Sequence, residues 1–452
     1  MAEDLMQGSS RPLGVQAGRS GRLRLPRPVA FWVSVAMMVL FMYAAAAPTP
    51  LYRVYQQKWH FSAATLTAVF AIYVLFLVVT LLTFGSLSDH VGRRPLIITG
   101  IVVFAVACVL FLVADGVALL FVARALQGIA VGVGLNTLGA VLMDLRPRSS
   151  LAPLLSSVSP NVGLATGALL TAILVQYGPA PTQLVWWLLL AAFAAAFVLV
   201  VAMRESGTAR PGALASLRPR LSVPRQARGA FARAVPALVA VWALGGFYLS
   251  LGPNLAAELA RSHNLLWGGA VAFLLTGVGA AAALAVRNVR PATVMLGGCL
   301  ALMAGAGVSV AAIETGSAAV LLLSTGLAGL GFGPAFLGAY RTVVALAAPA
   351  DRAGLIAAIF TVSYLSMGLP ALIAGLVVTQ VGLHSTALVY SAAVAGLAGL
   401  AASTFAFGGR SRPAASQPTQ PVPTADLPPG PCTVPPYVPT ARQDAQPAQA
   451  PR

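Results

Sequence analysis

The chain has 452 residues, of which 58% are hydrophobic and only 9% are charged. A soluble domain carries roughly 25% charged residues, so a chain this apolar lacks the polar surface to cover itself in water and is expected to lie in lipid. The net charge of +17 is scattered between apolar runs and forms no single basic face, which argues against a nucleic acid partner.

Twelve apolar stretches are long enough to form membrane-crossing helices. A bilayer core of about 30 Å needs about 20 apolar residues in a helix, whereas barrel strands alternate over about 10 residues. The predicted spans are 29–51, 62–84, 95–114, 117–143, 152–176, 182–203, 234–258, 266–286, 291–312, 315–339, 354–378 and 383–407. The sequence therefore predicts an all-α membrane protein with 12 transmembrane helices.

The basic residues indicate the orientation of these spans, because cytoplasmic loops are enriched in Lys and Arg. Of the 28 basic residues, 24 fall on the side of the two chain ends, three fall on the opposite side and Arg124 lies within span 4. Removing or adding one span would mix the two sets, so both termini are predicted to be cytoplasmic. Frequent Arg, Ala and Gly are typical of a GC-rich bacterial genome, which predicts a multi-pass protein of the bacterial cytoplasmic membrane.

Six spans on either side of a long basic loop indicate two related halves. The predicted organisation is a cytoplasmic N-terminal segment, a six-helix bundle, a basic cytoplasmic central loop, a second six-helix bundle and a disordered Pro-rich cytoplasmic tail. Their limits are 1–28, 29–203, 204–233, 234–407 and 408–452. A cleaved signal peptide ending near Ala46 is an alternative for the first span, whose apolar run continues beyond that site.

The loop between spans 2 and 3 reads GSLSDHVGRRPL over residues 85–96. Here the sequence resembles the major facilitator superfamily, whose signature at this place is G-x-L-x-D-x-x-G-R-[KR]. The matching residues that we assign to a conformational-switch loop are Gly85, Asp89, Gly92, Arg93 and Arg94. The resemblance implies a transporter in which two bundles alternately open a central cavity to each side. It also implies that Asp89 braces the bundles near the start of span 11.

Span 4 contains Arg124, Gln127 and Gly128 in an R-x-x-Q-G element. This element is similar to one found in proton-coupled drug antiporters of the same superfamily. A buried guanidinium is costly in a membrane and faces a cavity or a partner. Arg124 is therefore expected to contact substrate or to influence a proton site. The alternative is a structural arginine that binds helix-end carbonyls.

Span 5 matches the exporter pattern G-x-x-x-G-P-x-x-G-G only in part. Gly163 and Gly167 have the spacing that allows close helix packing, but Ala168 stands where the exporter pattern has proline. Simple helix packing is the better interpretation of the two glycines. The departure weakens the argument for obligatory antiport.

Members of this family line the cavity mainly with spans 1, 4, 7 and 10. On that resemblance the candidates for substrate binding or coupling, besides Arg124 and Gln127, are Asn136, Tyr248, Asn254, Glu258 and Thr325. Glu258 is the most plausible proton carrier, because Asn254 lies one turn away on the same face. A solvated carboxylate at the membrane boundary is the alternative for Glu258.

No enzyme or ATP-driven pump is expected from this sequence. The only lysine is Lys58, so a phosphate-binding GxxxxGK[ST] loop is absent, and HExxH and GxSxG elements are absent as well. The cysteines and histidines are dispersed, so no metal or other cofactor is predicted, and a proton gradient is the expected energy source. The sequence thus predicts a monomeric exporter of drug-like or metabolite compounds in the lipid bilayer. An uptake permease for sugar or another nutrient, or a uniporter, is the alternative.

Overall fold

The computed structural model describes residues 25–85, 87–146, 151–207, 211–217, 221–348 and 351–408. Within these ranges the chain forms helices and connecting segments, and no strand is present. Eleven of the helices are long and apolar enough to cross a membrane. The predicted all-α membrane fold is therefore confirmed.

The helices are numbered in chain order. Those of the first half are α1 (Arg27–Ala46), α2 (Pro48–Trp59), α3 (Ala63–Phe84), α4 (Ser88–Val91), α5 (Arg93–Leu112), α6 (Val117–Leu145), α7 (Leu151–Tyr177), α8 (Leu184–Ala202) and α9 (Ala213–Ser216). Those of the second half are α10 (Arg225–Ser250), α11 (Gly252–Leu259), α12 (Leu266–Phe273), α13 (Gly279–Ala285), α14 (Pro291–Glu314), α15 (Ala318–Val344) and α16 (Arg352–Gly408). A π-helical turn at Leu274–Val278 joins α12 to α13.

Several helices extend beyond the spans that hydropathy predicts. The first crossing runs on to Trp59 through α2, and α10 begins at Arg225, well before the predicted start at residue 234. Hydropathy marks only the part of a helix that lies in hydrocarbon. The backbone hydrogen bonds of a helix continue into the interface, where polar side chains are solvated. Part of the predicted central loop is consequently helical.

The last helix contains both of the final two predicted spans. A helix of 57 residues is about 85 Å long at 1.5 Å per residue, far more than a bilayer core of about 30 Å. Gly382 lies inside it with φ 82° and ψ 167°, outside helical geometry, so it divides α16 into two parts. Each part has the length of one crossing. The count of 12 crossings and the cytoplasmic placement of the termini stay predictions.

The buried apolar side chains form two clusters. One draws mainly on α1–α8, which we call the first bundle, and the other mainly on α10–α16, which we call the second bundle. The bundles meet along a seam where α3 packs against α16 and α7 packs against α12. The predicted domain limits stay predictions, and the predicted N-terminal segment up to residue 24 and the Pro-rich tail from residue 409 lie outside the described residues.

Candidate functional site

A proline break divides the first crossing helix. α1 ends at Ala46 and α2 begins at Pro48. Proline has no N–H, so the carbonyl four residues before it loses its helical donor. For Pro48 that carbonyl belongs to Ala44, which is fully buried. A buried carbonyl requires a donor from elsewhere in the protein.

Arg124 and Gln127 on α6 donate hydrogen bonds to this break. The two residues are three positions apart and therefore share one face of the helix. The Gln127 Nε2 atom donates to the Ala44 carbonyl at 3.2 Å, and the Arg124 Nη1 atom donates to the Ala45 carbonyl at 3.0 Å. Arg124 Nη1 also donates to Gln127 Oε1 at 2.8 Å. The pair thus holds α6 to α1, as the structural alternative for Arg124 requires.

Glycines allow the helices around this pair to approach closely. A Cβ atom on Gly128 would lie 3.0 Å from the backbone nitrogen of Leu77 on α3. Cβ atoms on Gly163 and Gly167 would lie 3.0 Å and 2.7 Å from the backbone N and Cα of Tyr43 on α1. Such distances leave no room for a side chain. The three glycines therefore set the positions of α3, α6 and α7 around α1.

The charge of Arg124 lies in an aromatic box. Its side chain is 2% exposed, and its Cζ atom lies 4.2 Å from the ring centroid of Tyr73 and 5.8 Å from those of Tyr52 and Phe70. Throughout the described ranges, Arg124 has no Asp or Glu partner within 4 Å. A buried cation is unfavourable without an anion beside it, and ring faces offset only part of that cost. The site therefore favours a negative charge.

The predicted switch loop lies between α3 and α5 and contains an ion-pair network. Arg93 Nη1 pairs with Asp89 Oδ1 at 2.6 Å, and Arg93 Nε pairs with Asp144 Oδ2 at 3.2 Å. Gly92, at φ 106°, provides the turn between α4 and α5. We call the end of the molecule that carries this loop the loop end and the opposite end the far end. Gly85 is exposed at the C-terminal end of α3.

Glu205, which follows α8, was missed by the sequence analysis. Its carboxylate accepts hydrogen bonds from the backbone N–H groups of Arg93 at 2.8 Å and Arg94 at 3.0 Å. The first N–H groups of a helix have no partner within the helix and carry partial positive charge. Glu205 therefore caps α5 and ties the end of α8 to the switch loop. An acid two residues after the end of a long apolar run was the sequence signal for this role.

The expected contact between Asp89 and the start of α16 does not appear at Gly354. The backbone carbonyl of Gly354 accepts from the Ser222 N–H at 3.4 Å, so Ser222 occupies that position. The Asp89 side chain is 50% exposed while it pairs with Arg93. The bracing role of Asp89 stays a prediction.

The seam is fastened by hydrogen bonds at the far end. Among the described residues, four hydrogen bonds join the bundles, and each lies at that end. They are Arg53 Nη1 to the Ser262 carbonyl at 3.2 Å, Asn254 Nδ2 to Gln56 Oε1 at 3.1 Å, the Leu265 N–H to Gln176 Oε1 at 2.9 Å and Asn264 Nδ2 to Tyr177 Oη at 3.5 Å. Of the predicted coupling residues, Asn254 belongs to this set. The Glu258 side chain lies nearby and is exposed.

The remaining predicted residues are not brought together with Arg124. Tyr248 lies 3.0 Å from the Ser309 hydroxyl, and Thr325 donates to the Leu321 carbonyl at 2.7 Å, both within the core of the second bundle. The Asn136 Nδ2 atom is buried and has no acceptor in the described part of the chain. Roles for these residues in transport stay predictions.

Five aromatic rings of the second bundle form a row whose members have centroids 4.9–6.3 Å apart. The sequence analysis did not assemble this row, because its members are spread over α10, α15 and α16. They are Trp242, Phe336, Tyr340, Phe360 and Tyr364. All five side chains are partly exposed.

Known proteins share the family pattern and the fold of this chain. The family model described as Major Facilitator Superfamily matches residues 29–369. The nucleoside transporter NupG, in the crystal structure of a mutant form, superposes with a TM-score of 0.62 at 14% identity, over 84% of this chain and 99% of that one. The human organic anion transporter MFSD10 (TETRAN) superposes with a TM-score of 0.61 at 18% identity, over 84% of this chain and 100% of that one. At these identities the likeness concerns the fold alone.

Curated relatives match shorter stretches. Multidrug resistance protein D of Escherichia coli (strain K12) is 32% identical over 107 residues, which are 24% of this chain and 27% of the relative. The glucose transporter GlcP of Staphylococcus epidermidis is 31% identical over 120 residues, 26% of each chain. Multidrug resistance protein MdtL of Escherichia coli O6:K15:H31 is 28% identical over 163 residues, which are 35% of this chain and 40% of the relative. The chain thus spans well under half of the length of these relatives.

Proposed function

Because the chain belongs to the major facilitator superfamily, we propose that it is a secondary transporter that moves a small molecule across the bacterial cytoplasmic membrane by alternating access. The observation that supports this is the one-sided fastening of the seam. Four hydrogen bonds join the bundles at the far end, whereas the loop-end network of Arg93 stays within the first bundle. A state closed at one end only is one of the two states that alternating access requires.

The proposed transport cycle needs these hydrogen bonds to be exchanged for contacts at the loop end. Each of the four is a single neutral or singly charged hydrogen bond, with a net contribution of about 0.5–3 kcal/mol. A set of this size can be offset by substrate binding or by contacts of Asp89 at the opposite end. The two states are therefore close enough in free energy to interconvert.

We further propose that the direction is export and that a proton gradient drives it. Arg124, Gln127 and Gly128 match the element of proton-coupled antiporters, and two of the relatives carry multidrug resistance names. Glu258 is the proposed proton carrier, because it is exposed one turn from Asn254 at the seam. The proposed substrates are small and moderately apolar, since the seam offers aromatic rings and few fixed charges.

Uptake of sugar or another nutrient is the second candidate, and the name of the Staphylococcus epidermidis relative favours it. Fold does not separate the two directions, because both use the same architecture. Direction is decided by the coupling reaction and therefore has to be measured.

The test uses energised inside-out vesicles that contain a pH-sensitive dye and the protein. A panel of drugs, sugars and small metabolites is added one by one. Proton-linked export predicts that at least one compound dissipates the proton gradient, and that vesicles with the Glu258→Gln variant or without the protein show no response. A panel compound that accumulates without dissipating the gradient overturns proton coupling. Sugar-driven proton movement into intact cells, seen as alkalinisation of the medium, would establish proton-coupled uptake instead.

A further inference from the structure

The row of five rings has a defined direction within the second bundle. Tyr340 lies one turn before α15 ends at Val344, and α16 begins at Arg352 at the same end. At the other end of the row, Tyr364 packs against the buried cluster of the first bundle, to which Tyr73 on α3 belongs. Tyr73 is the ring that lies 4.2 Å from the Arg124 guanidinium. The row therefore leads from one arginine near the loop end to the box of a second, buried arginine.

The row lies on the seam and is not sealed inside one bundle. Trp242 and Tyr364 pack against the buried cluster of the first bundle, while Trp242 also packs against that of the second. Phe336 and Phe360 connect these two rings to Tyr340, with centroids about 6 Å apart. All five side chains are partly exposed.

One hydrogen-bond donor in this row lacks an acceptor. The Trp242 Nε1 atom is buried, and no acceptor for it occurs among the described residues. A buried indole N–H normally has a partner, because leaving it unsatisfied costs about 1–3 kcal/mol. The indole ring itself is held edge-on by Tyr364 at 4.9 Å and Phe336 at 5.4 Å. A ligand acceptor placed against these rings would satisfy the N–H.

The charges around the row favour an anion over a cation. Aromatic faces alone attract cations. However, the acidic residues of the described part all lie in connecting segments or in the terminal turns of helices: Asp89, Asp115, Asp144, Glu205, Glu258, Glu314 and Asp351. Neither Arg124 nor Arg352 has an acidic partner within 4 Å in the same part of the chain. A cation in the row would face the buried positive charge of Arg124, whereas a monoanion would be attracted by it.

We propose that the row formed by Trp242, Phe336, Tyr340, Phe360 and Tyr364 is a binding site for aromatic monoanions, such as planar aromatic carboxylates. The ligand ring stacks in the row, and its carboxylate accepts the Trp242 N–H and is attracted by the positive charge of Arg124. That this ligand is a transported substrate rests on the proposed function. That it binds in the row does not depend on transport.

The test is equilibrium binding to the full chain in nanodiscs, with empty nanodiscs as the blank. The probes are 1-naphthoate, the neutral 1-naphthalenemethanol, the cationic 1-naphthylmethylammonium and the non-aromatic cyclohexanecarboxylate. We expect 1-naphthoate to bind at least tenfold more tightly than each of the other three. Equal binding of the anion and the cation, or of the aromatic and the non-aromatic carboxylate, overturns the proposal.

Three variants locate the site. Trp242→Phe keeps one aromatic ring but removes the N–H and part of the stacking area, and it should weaken 1-naphthoate binding about tenfold or more, since hydrogen bonds to charged groups are the strong ones. Phe360→Leu should weaken it about two- to tenfold by removing one stacking face. Phe197→Leu changes a partly exposed ring on α8, outside the row, and should leave binding unchanged. Unchanged binding in both row variants, with normal elution as folded protein, overturns the site.

Binding and transport separate the two proposals. If 1-naphthoate binds with this specificity but is not moved by the protein in vesicles, the site stands and the proposed transport of its ligand fails. If other panel compounds are transported while 1-naphthoate does not bind, the transporter stands and the aromatic monoanion site is wrong.

Discussion

Gln127 donates its side-chain amide to the carbonyl of Ala44, the group that Pro48 leaves without a helical donor. The glutamine of the R-x-x-Q-G element therefore has a structural role that does not depend on a substrate. Pro48 interrupts the hydrogen bonding of the first crossing helix, and a side chain on α6 supplies the missing donor. Arg124 adds a second donor at the neighbouring Ala45 carbonyl. An element that resembles a transport motif is therefore also a structural contact between two helices of the first bundle.

Replacement of Gln127 by Leu should destabilise the protein. The Ala44 carbonyl would be buried without a donor, which costs about 1–3 kcal/mol. Thermal unfolding in detergent, followed by loss of the folded elution peak, measures the change. The matched test is Pro48→Ala, which restores an N–H four residues after Ala44. Gln127→Leu should lower the thermal stability less in the Pro48→Ala protein than in the natural one. An equal loss of stability in both proteins would contradict the role of Gln127 as the donor to the Ala44 carbonyl.

Replacement of Glu205 by Ala should loosen the switch loop. Two backbone N–H groups at the start of α5 would lose their acceptor, and losing a helix cap costs about 0.5–2 kcal/mol. Hydrogen exchange of the Arg93 and Arg94 amides should become faster. Glu205→Gln retains a carbonyl acceptor and should have a smaller effect. Asp115→Ala, in the connection between α5 and α6, is the control and should leave these amides protected.

The membrane fold could be predicted because hydropathy and length report directly on burial in lipid. The apolar runs locate the long helices, and the Arg93 loop indicates the family. The ends of the helices could not be predicted in the same way. Helical hydrogen bonding at Arg225 continues in the interface, where hydropathy falls, whereas the break at Gly382 lies in the predicted connection between residues 378 and 383.

The candidate site was predicted only where chemistry is local in sequence. Arg124 and Gln127 share a helix face because they are three residues apart, and their burial followed from their span. Their acceptors on α1 could not be inferred, since they depend on which helix packs beside α6. The same holds for the ring of Trp242 against those of Phe336 and Tyr364, which come from three helices. Contacts between residues on different helices are therefore the part of the site that could not be predicted from the sequence.

Glu258→Gln should abolish the coupling of transport to protons while leaving ligand binding intact. The glutamine keeps the size and polarity of the exposed side chain but cannot carry a proton. Transport in the dye assay should lose its dependence on pH. Glu314→Gln, another exposed acid at a helix end, should keep the normal pH profile. An unchanged profile in Glu258→Gln would remove this residue as the carrier.

Asn254→Leu should shift the protein toward the state that is open at the far end. The variant removes the hydrogen bond to Gln56 across the seam, and Gln56→Leu should have the same effect by removing the other partner. Because one bond is lost in either case, the double variant should shift the population little further than each single one.

The measurement is the distance between spin labels at two pairs of exposed sites in a cysteine-free chain. Labels at Gln183 and His263 report on the far end, and labels at Val91 and Arg287 report on the loop end. In Asn254→Leu the far-end distance should lengthen while the loop-end distance shortens, because the bundles rock as rigid bodies about the seam. Thr379→Val, which removes only a hydroxyl bond within α16, should change neither distance. A longer far-end distance with an unchanged loop-end distance would mean local fraying of α2 and α11, and would contradict the rocking motion.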